Sequence, residues 1–505
     1  MDGIGWWLRK REELSGDREA VVDGDRRLTY RDLNRRVNRS ARALQALGVK
    51  PGDRVGLLAY NRVEFVEVIF AAAKLGAILV PLNWRLTAPE LDYILTDSGA
   101  ETLLFDPALE ALARELCASA CVRRVVCLGA GSPLGAHAYE ACLAAQPDAE
   151  PEVSPRPDGD TPHILMYTSG TTGRPKGAVL SQGASFWNAL NLQLALDFTS
   201  ADRNLLALPL FHIGGIGLFT LPMLYVGGTV VLQRAFEASE TLRLLREERI
   251  SLFFGVPAMF LFLLQHPEFD PSAFAGVRCA MSGGAPLPPS LVQQYHQAGI
   301  ALQQGFGMSE AAPGITTLPK SLALAKAGSV GRALFHVEVR VVDERGDEVP
   351  RGQVGELVLR GPNLMQGYWN RPEATRQAFS GGWFHSGDLA RMDEDGDLYI
   401  VDRKKDMFIS GGENVYPAEV ENLIYELPQV SEAAVVGVPD DTWGEVGCAV
   451  VAVKHGHTLT AQQVLEHLRP RLAKYKVPKR VVFVDALPRN AAGKVLKDAL
   501  REQTR

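Results

Sequence analysis

One short segment of the chain concentrates hydroxyl groups, glycines and a positive charge. Four Ser/Thr hydroxyls, three glycines and Lys176 lie within Tyr167 to Gly177 (YTSGTTGRPKG), directly after the apolar run Ile164 to Tyr167. Glycines let the backbone approach a ligand closely, and hydroxyls and lysine bind phosphate oxygens. In a Walker loop the lysine directly follows a glycine, whereas here Pro175 precedes it and the apolar run Ala178 to Leu180 follows. The pattern predicts a phosphate-binding loop between two strands.

Six further segments carry distinctive short motifs, five of them with glycines beside polar or charged residues. In chain order they are Pro209–His212 (PLFH), Ser282–Pro286 (SGGAP), Gly305–Glu310 (GFGMSE), Gly382–Asp388 (GWFHSGD) with Asp402 and Arg403, Ile409–Pro417 (ISGGENVYP) and Pro488–Lys494 (PRNAAGK). With the phosphate loop they resemble, in the same order and over nearly the whole chain, the motifs of the acyl-adenylate-forming superfamily. That superfamily contains acyl-CoA synthetases, adenylation domains of peptide synthetases and beetle luciferases.

The resemblance implies an ATP-dependent, AMP-forming acid–CoA ligase. A carboxylate would attack the α-phosphorus of ATP, release pyrophosphate and form an acyl-adenylate, whose acyl group then passes to coenzyme A. ATP, Mg²⁺ and coenzyme A are the implied cofactors and co-substrates. The run of motifs is most similar to compact bacterial fatty acyl-CoA ligases, which implies a medium- to long-chain fatty acid. Aryl-acid ligases, such as those for hydroxycinnamates, share the motifs, and so do stand-alone acyl-AMP ligases that load a carrier protein.

The resemblance also implies a set of site residues. The ATP or AMP site would contain Thr168, Ser169, Gly170, Thr171, Thr172, Gly173, Lys176, Gly284, Ala285, Pro286, Gly305, Phe306, Gly307, Met308, Ser309, Asp388, Arg403 and Lys494. The catalytic residues would be Lys494, Thr168 and Glu310. Lys494 would bridge the attacking carboxylate and the phosphoryl oxygens, Glu310 would bind Mg²⁺, and Asp388, assisted by Arg403, would bind the ribose hydroxyls.

Two of these residues differ from the family pattern, because Ser309 replaces the usual threonine and Phe306 the frequent tyrosine. Serine keeps the hydroxyl and phenylalanine keeps the ring, so the reaction class is unaffected.

The acyl side is expected to be apolar. His212, Gly214 and Gly215 are expected to form one wall, and Leu205–Leu232 and Phe254–Pro257 to flank a cavity near Gly284 and Gly307. Leu205–Leu232 contains no Lys, Arg, Asp or Glu. An unpaired buried charge is costly, so neither a second carboxylate nor an α-ammonium group is expected there.

The second half-reaction involves a different set of residues. By resemblance, Lys405 would be the hinge of a mobile C-terminal domain, and Gly411, Gly412 and Trp443 would bind coenzyme A. A non-catalytic relative would be expected to lack Lys494 or Glu310, and both are present.

Strand-like and helix-like segments alternate in the first part of the chain. Val55–Ala59 and Ala77–Leu82 are strand-like and Glu64–Leu75 is helical, which predicts a mostly parallel sheet covered by helices. Five consecutive charged residues, 402–406, precede about a hundred residues with their own α+β pattern. We therefore expect an α/β and α+β fold with mixed sheets, in which residues 1–402 form an adenylation domain and residues 403–505 a small mobile lid carrying Lys494.

Composition narrows the remaining classes. The chain has 505 residues and a net charge of −6, which argues against a nucleic-acid binder. Its six cysteines form no CxxC pair and are expected to be unpaired. Glycines and prolines interrupt the uncharged stretch Leu205–Leu232, so two buried elements are expected there rather than a membrane span. With no apolar leader, the chain is expected in the cytoplasm, and the sequence leaves open a peripheral membrane contact and a homodimer.

Overall fold

The computed structural model describes residues 2–118, 121–131, 134–168, 175–410, 413–440, 443–489 and 495–504. The helices are α1 (Trp7–Ser15), α2 (Tyr30–Ala46), α3 (Val63–Leu75), α4 (Ala88–Ser98), α5 (Glu110–Leu116), α6 (Tyr139–Ala144), α7 (Gln182–Leu196), α8 (Leu221–Val226), α9 (Ala238–Glu247), α10 (Pro257–Gln265), α11 (Pro289–Gln297), α12 (Pro372–Ala378), α13 (Pro417–Ile424), α14 (Ala461–Leu468) and α15 (Lys497–Thr504). A π-helix spans Gly214–Thr220, and short 3₁₀ helices span Ile4–Trp6, Pro107–Leu109, Pro271–Phe274, Ser309–Ala311 and Lys320–Leu322.

The strands are β1 (Glu19–Asp23), β2 (Arg26–Thr29), β3 (Arg54–Leu58), β4 (Ile78–Pro81), β5 (Thr102–Phe105), β6 (Arg124–Cys127), β7 (His137–Ala138), β8 (Pro162–Thr168), β9 (Lys176–Ser181), β10 (Arg203–Leu206), β11 (Thr229–Leu232), β12 (Leu252–Gly255), β13 (Cys279–Ser282), β14 (Leu302–Gly307), β15 (Gly314–Thr317), β16 (Arg332–Ala333), β17 (Glu338–Val342), β18 (Val354–Arg360), β19 (Gly367–Tyr368), β20 (Phe379–Ser380), β21 (Trp383–Met392), β22 (Leu398–Arg403), β23 (Phe408–Ser410), β24 (Glu413–Val415), β25 (Val430–Asp440), β26 (Gly444–Val453) and β27 (Arg480–Val484).

Three sheets form the large N-terminal part, two of them mixed and one antiparallel. One has the order β19-β9-β8-β4-β3-β5-β6-β7, and a second has the order β16-β15-β14-β13-β12-β10-β11-β1-β2. The third joins β17-β18-β21-β20, with β22 paired to β21. In the first two sheets the central strands run parallel. Antiparallel strands lie at the β19–β9 end of the first sheet and at both ends of the second. The predicted fold class is confirmed, and β3, α3 and β4 occupy the segments in which they were expected.

Helix α3 packs between the first two sheets. All thirteen of its residues are buried, and it contacts β4 of one sheet and β1 of the other. The helix is largely apolar, and its three charged residues, Glu64, Glu67 and Lys74, are buried with oppositely charged partners. The helix ends at Gly76, whose φ of 69° is the left-handed conformation that favours glycine at a helix C-terminus.

The uncharged stretch Leu205–Leu232 is divided more finely than expected. It contains the end of β10, the π-helix, α8 and β11, so four elements replace the two that were predicted. Pro222 lies within the first turn of α8, and Gly227 ends that helix at a φ of 87°. Across the part of the chain that the structure describes, no helix combines the length and the apolarity needed to cross a membrane.

Residues 146–162 carry five prolines and five acidic residues, a composition typical of an exposed connector. In the structure this segment is anchored. Glu150 Oε2 lies 2.7 Å from Lys74 Nζ, and Lys74 is fully buried at the end of α3. A buried ammonium group requires a partner, which the connector supplies.

The C-terminal part is a smaller α+β domain with its own core. Strands β24-β23-β26-β25 form its sheet, with β27 beside β26. Helices α13 and α14 cover one face, where Val420, Ile424, Val464 and Leu468 are buried in one cluster. Every element that the sequence predicted here is present, with ends that differ by a few residues.

Candidate active site

The phosphate loop connects two antiparallel strands, as predicted. Thr168, the last residue of β8, pairs in register with Lys176, the first residue of β9, and the Thr168 hydroxyl donates to the Lys176 carbonyl at 3.5 Å. The hairpin therefore fixes both ends of the loop. The predicted site residues Ser169, Gly170, Thr171, Thr172 and Gly173 lie outside the described residues.

Strand β19 brings Glu310 to this hairpin. Tyr368 in β19 pairs with Ala178 in β9, and the nearby Met365 N–H donates to the Glu310 carbonyl at 2.8 Å. The Tyr368 hydroxyl donates to Glu310 Oε1 at 3.0 Å, while Lys176 Nζ lies 5.4 Å from the Tyr368 ring centroid. Burial and the Glu310 carboxylate raise the pKa of Tyr368, so its phenol stays protonated and remains a donor. No motif in the sequence pointed to Tyr368.

Two glycine motifs predicted for the ATP or AMP site, Ser282–Pro286 and Gly305–Glu310, lie at the carboxyl ends of the neighbouring parallel strands β13 and β14. Gly284 has a φ of 78°, and Gly284–Pro286 are exposed. At Gly307 a Cβ would lie 2.2 Å from the Pro313 carbonyl oxygen, so only glycine fits without a shift. Phe306, Met308 and Ser309 are half-buried along the same edge.

Asp388 and Arg403 form the predicted pair. They lie opposite each other in β21 and β22, with Arg403 Nε 2.9 Å from Asp388 Oδ1. Asp388 is buried, and its N–H donates to Ser386 Oγ at 3.1 Å. The Arg403 guanidinium also lies near enough to Tyr368 to counter, in part, the rise in the pKa of its phenol. Sites predicted for ribose and for phosphate are therefore neighbours.

The acyl side is built on the π-helix. Asn188 of α7 donates to the Gly217 carbonyl at 2.6 Å and accepts from the Gly314 N–H at 2.8 Å. A Cβ at Gly215 would lie 2.2 Å from the Pro209 carbonyl oxygen. Asn188 thus connects the predicted acyl wall to the segment after Glu310, a role that the sequence did not indicate.

The His212 residue is exposed to solvent, although many protein atoms surround its ring. Its Nδ1 accepts the Gly214 N–H at 3.1 Å, and desolvation lowers the pKa of the imidazole. The ring is therefore neutral at physiological pH. It offers no positive charge to a second carboxylate, in agreement with the uncharged sequence around it.

Aromatic rings fill the space behind this wall. Phe254 and Phe219 meet edge to face at 5.7 Å, and Phe219 and Phe198 do so at 5.0 Å. A Cβ at Gly283 would lie 3.2 Å from Phe254 Cζ, so this ring reaches the turn that carries Gly284. The expected approach of the 254–257 segment to the glycine turn is present, since a Cβ at Gly284 would lie 3.7 Å from Val256 Cγ1.

The residues predicted for the second half-reaction are only partly described. Lys405 is exposed just after β22, and Trp443 is 46% exposed with Lys479 Nζ 6.0 Å from its ring centroid. Gly411, Gly412 and Lys494 lie outside the described residues. The residues beside the Lys494 segment, Arg489 and Val495, pair with each other and close its base.

Glu310 suits Mg²⁺, because its half-buried carboxylate is an oxygen donor held in place beside the phosphate hairpin. Within the described ranges, one group of acidic residues, Asp393, Asp395 and Asp397, is close enough to share an ion. Lys326 Nζ already lies within 3.0 Å of all three carboxylates. All six cysteines are free, as predicted.

Comparison with known proteins agrees with this geometry. Residues 8–369 match the AMP-binding enzyme family, and residues 419–494 match the AMP-binding enzyme C-terminal domain. The chain belongs to the AMP-binding enzyme family. The predicted superfamily and enzyme class, an AMP-forming acyl-CoA synthetase, are confirmed.

Three similar proteins cover almost the whole chain. A feruloyl-CoA synthase of Amycolatopsis sp is 45% identical over 99% of both chains, and the long-chain-fatty-acid–CoA ligase FadD13 of Mycobacterium tuberculosis is 41% identical over 100% of this chain and 99% of its own. Among solved structures, ATP-bound MatB from Rhodopseudomonas palustris is 35% identical, covers 99% of both chains and superposes with a TM-score of 0.90. This chain therefore shares its architecture with an ATP-binding family member.

Proposed function

We propose that this acyl-CoA synthetase activates an aryl monocarboxylic acid of the hydroxycinnamate type. The observation that carries the proposal is the predicted acyl wall, which holds a neutral His212, has no charged residue between Leu205 and Leu232, and is backed by the packed Phe254–Phe219 pair. Aromatic side chains can make edge-to-face contacts with the ring of an aryl acid, which an alkyl chain cannot make. The 45% identity with a feruloyl-CoA synthase supports the same choice.

A fatty acid is the second candidate, and it is the one that the run of motifs favoured. The same uncharged wall accepts an alkyl chain, and FadD13 is 41% identical over almost the same length. Kinetic comparison of the two substrate classes decides between them.

In the first half-reaction the site must bring two anions together. We assign Thr168, Lys176 and the loop between them to the phosphates, and Lys494 to the attacking carboxylate and the phosphoryl oxygens. Mg²⁺ bound at Glu310 would neutralise phosphate charge. Tyr368 holds the Glu310 carboxylate, and Asp388 and Arg403 orient the ribose. Preorganised charges of this kind are usually the largest single contribution to such catalysis.

We assign the second half-reaction to a rotation of the C-terminal domain. The domain boundary is proposed at residues 402/403 and the pivot at Lys405, which is exposed between β22 and β23. Rotation would withdraw Lys494 and carry Gly411 and Gly412 to the acyl-adenylate, where thin glycine backbone leaves room for the pantetheine arm of coenzyme A.

The test is AMP release by the purified chain with ATP, Mg²⁺ and coenzyme A. The acids are ferulate, benzoate, octanoate, palmitate and acetate. We expect the highest kcat/KM with ferulate, because specificity is the ratio of these values. A higher kcat/KM with palmitate would assign the chain to fatty acids instead. No AMP release with any acid, from a folded protein that binds ATP, would contradict the proposed reaction.

A further inference from the structure

Asp402 connects the two parts of the chain across the proposed hinge. It is the fifth residue of β22 and is 8% exposed. Its Oδ1 accepts the Arg403 N–H at 2.7 Å, and its Oδ2 accepts the Ala418 N–H at 2.9 Å. Ala418 belongs to α13 of the C-terminal domain, so the second bond joins residues on opposite sides of Lys405.

This bond caps helix α13 from the other domain. The residue at the N-cap position of α13 is Tyr416, whose side chain makes no capping hydrogen bond, and Pro417 occupies the first helical position. The first N–H groups of a helix lack partners within the helix and carry partial positive charge. The Asp402 carboxylate supplies the missing acceptor and a favourable negative charge.

A half-buried lysine of the C-terminal domain adds positive charge near the same contact. Lys497 of α15 lies 2.8 Å from Glu421 Oε1, and among charged neighbours it does most to counter the rise in the Asp402 pKa that burial causes. Lys497 follows the Lys494 segment by three residues in sequence. The Asp402 carboxylate therefore accepts a hydrogen bond from the start of α13, and the positive charge at the start of α15 favours its ionised form.

A rotation about Lys405 would separate these groups, because Asp402 precedes the pivot while Ala418 and Lys497 follow it. Asp406 provides a contrast. It pairs with Arg501 at 3.0 Å, and both residues lie after the pivot. The Asp406–Arg501 ion pair would therefore move with the C-terminal domain and remain intact.

In the observed arrangement the segment proposed to bind coenzyme A is not engaged, which fits the adenylation step of the proposed function. Ile409 is 49% exposed and Glu413 is also exposed, so the residues on either side of Gly411 and Gly412 face solvent instead of an acyl site. The Asp402–Ala418 bond therefore stabilises the arrangement in which the segment proposed to bind coenzyme A is disengaged.

We propose that Asp402 is a positioning residue that holds the C-terminal domain in its adenylation arrangement by capping α13 across the hinge. The inference rests on the proposed two-step function. Asp402 does not need to touch a substrate, because it acts through the placement of α13 and of the lid that carries Lys494. Release of the cap would accompany rotation to the thioester-forming arrangement.

The first test measures the two half-reactions separately in Asp402→Ala, Asp402→Asn and the matched control Asp406→Asn. Asp402→Ala removes the hydrogen bond from the Ala418 N–H to a charged carboxylate. The loss should slow acid-dependent pyrophosphate exchange by about tenfold or more. Conversion of supplied acyl-adenylate and coenzyme A to thioester should be unchanged or faster. Asp402→Asn retains a side-chain oxygen that can accept the Ala418 N–H, so exchange should be partly restored. Asp406→Asn should leave the ratio of the two rates unchanged.

The second test follows the Ala418 amide by hydrogen exchange in the unmodified chain. With ATP and Mg²⁺ the amide should be protected, and with coenzyme A and a non-hydrolysable acyl-adenylate analogue its exchange should accelerate. In Asp402→Ala the exchange should be fast in both conditions. The inference would be overturned if a folded Asp402→Ala variant lost both half-reactions equally. It would also be overturned if the protection of the Ala418 amide were the same with either set of ligands. Failure of the proposed function itself would show separately, as absent pyrophosphate exchange in the unmodified chain.

Discussion

Tyr368 donates its phenolic hydrogen to Glu310 Oε1 across 3.0 Å, and this bond joins residues that are 58 positions apart in the chain. The Tyr368 ring also faces the Lys176 ammonium at 5.4 Å. A single side chain thus sets the distance between the proposed Mg²⁺ ligand and the proposed phosphate-binding lysine. Neither of these side chains needs a ligand to hold it in place.

Replacing Tyr368 by phenylalanine should weaken adenylation. The ring under Lys176 stays, but the bond to the Glu310 carboxylate, worth about 1.5–3 kcal/mol for a charged acceptor, is lost. We expect kcat/KM for pyrophosphate exchange to fall roughly ten- to a hundredfold, and the Mg²⁺ concentration for half-maximal rate to rise. Tyr399→Phe is the matched control, because Tyr399 approaches Asp393 away from the site. An unchanged Mg²⁺ dependence in Tyr368→Phe would remove Tyr368 from this role.

The sequence predicted the local parts of the site and missed the contacts between them. The hairpin around Thr168 and Lys176 follows from apolar runs on either side of a glycine-rich loop, and the Asp388–Arg403 pair follows from two recognisable motifs. Tyr368 and Asn188 reach the site only through tertiary pairing, of β19 with β9 and of α7 with the π-helix. Spacing along the chain carries no information on such distant contacts. Nothing in the run of charged residues 402–406 indicated that Asp402 would be buried as a helix cap.

The two wall glycines should respond differently to substitution. A Cβ at Gly214 would have its nearest neighbour, His212 Nδ1, at 3.3 Å, whereas at Gly215 the Pro209 carbonyl oxygen would lie at 2.2 Å. Gly214→Trp should therefore shift preference toward smaller acids, measured as the ratio of kcat/KM for benzoate and ferulate. Gly215→Ala should instead lower the free energy of unfolding, by about 1–3 kcal/mol for an overpacked site. A folded Gly214→Trp variant with an unchanged acid profile would place Gly214 away from the acyl group.

Stability should fall as the pH drops from about 6.5 toward 4, in part because of His163. This side chain is fully buried in β8, and desolvation lowers its pKa to about 4. In that pH range the unfolded chain binds a proton at His163 and the folded chain does not, so the free energy of unfolding decreases as the pH falls, by up to about 3 kcal/mol. Urea unfolding at pH 7 and pH 4.5 measures the difference. His163→Leu should reduce it, and the exposed control His455→Leu should leave it unchanged.

Lys494 and Lys405 should separate the two half-reactions. Lys494 is assigned to charge stabilisation in adenylation, and losing such a donor typically costs about 3–4 kcal/mol, a factor of ~10²–10³ in rate. Lys494→Ala should therefore abolish acid-dependent pyrophosphate exchange and still convert supplied acyl-adenylate and coenzyme A to thioester. Lys405→Pro fixes φ at the proposed pivot and should do the reverse. The matched control is Lys405→Ala, which leaves φ free at the pivot and should retain both activities. Lys404→Pro cannot serve as a control, because residue 404 is adjacent to the pivot. Circular dichroism first confirms that each variant is folded. If each variant lost both half-reactions equally, Lys494 would act in both steps, or Lys405 would not be the pivot.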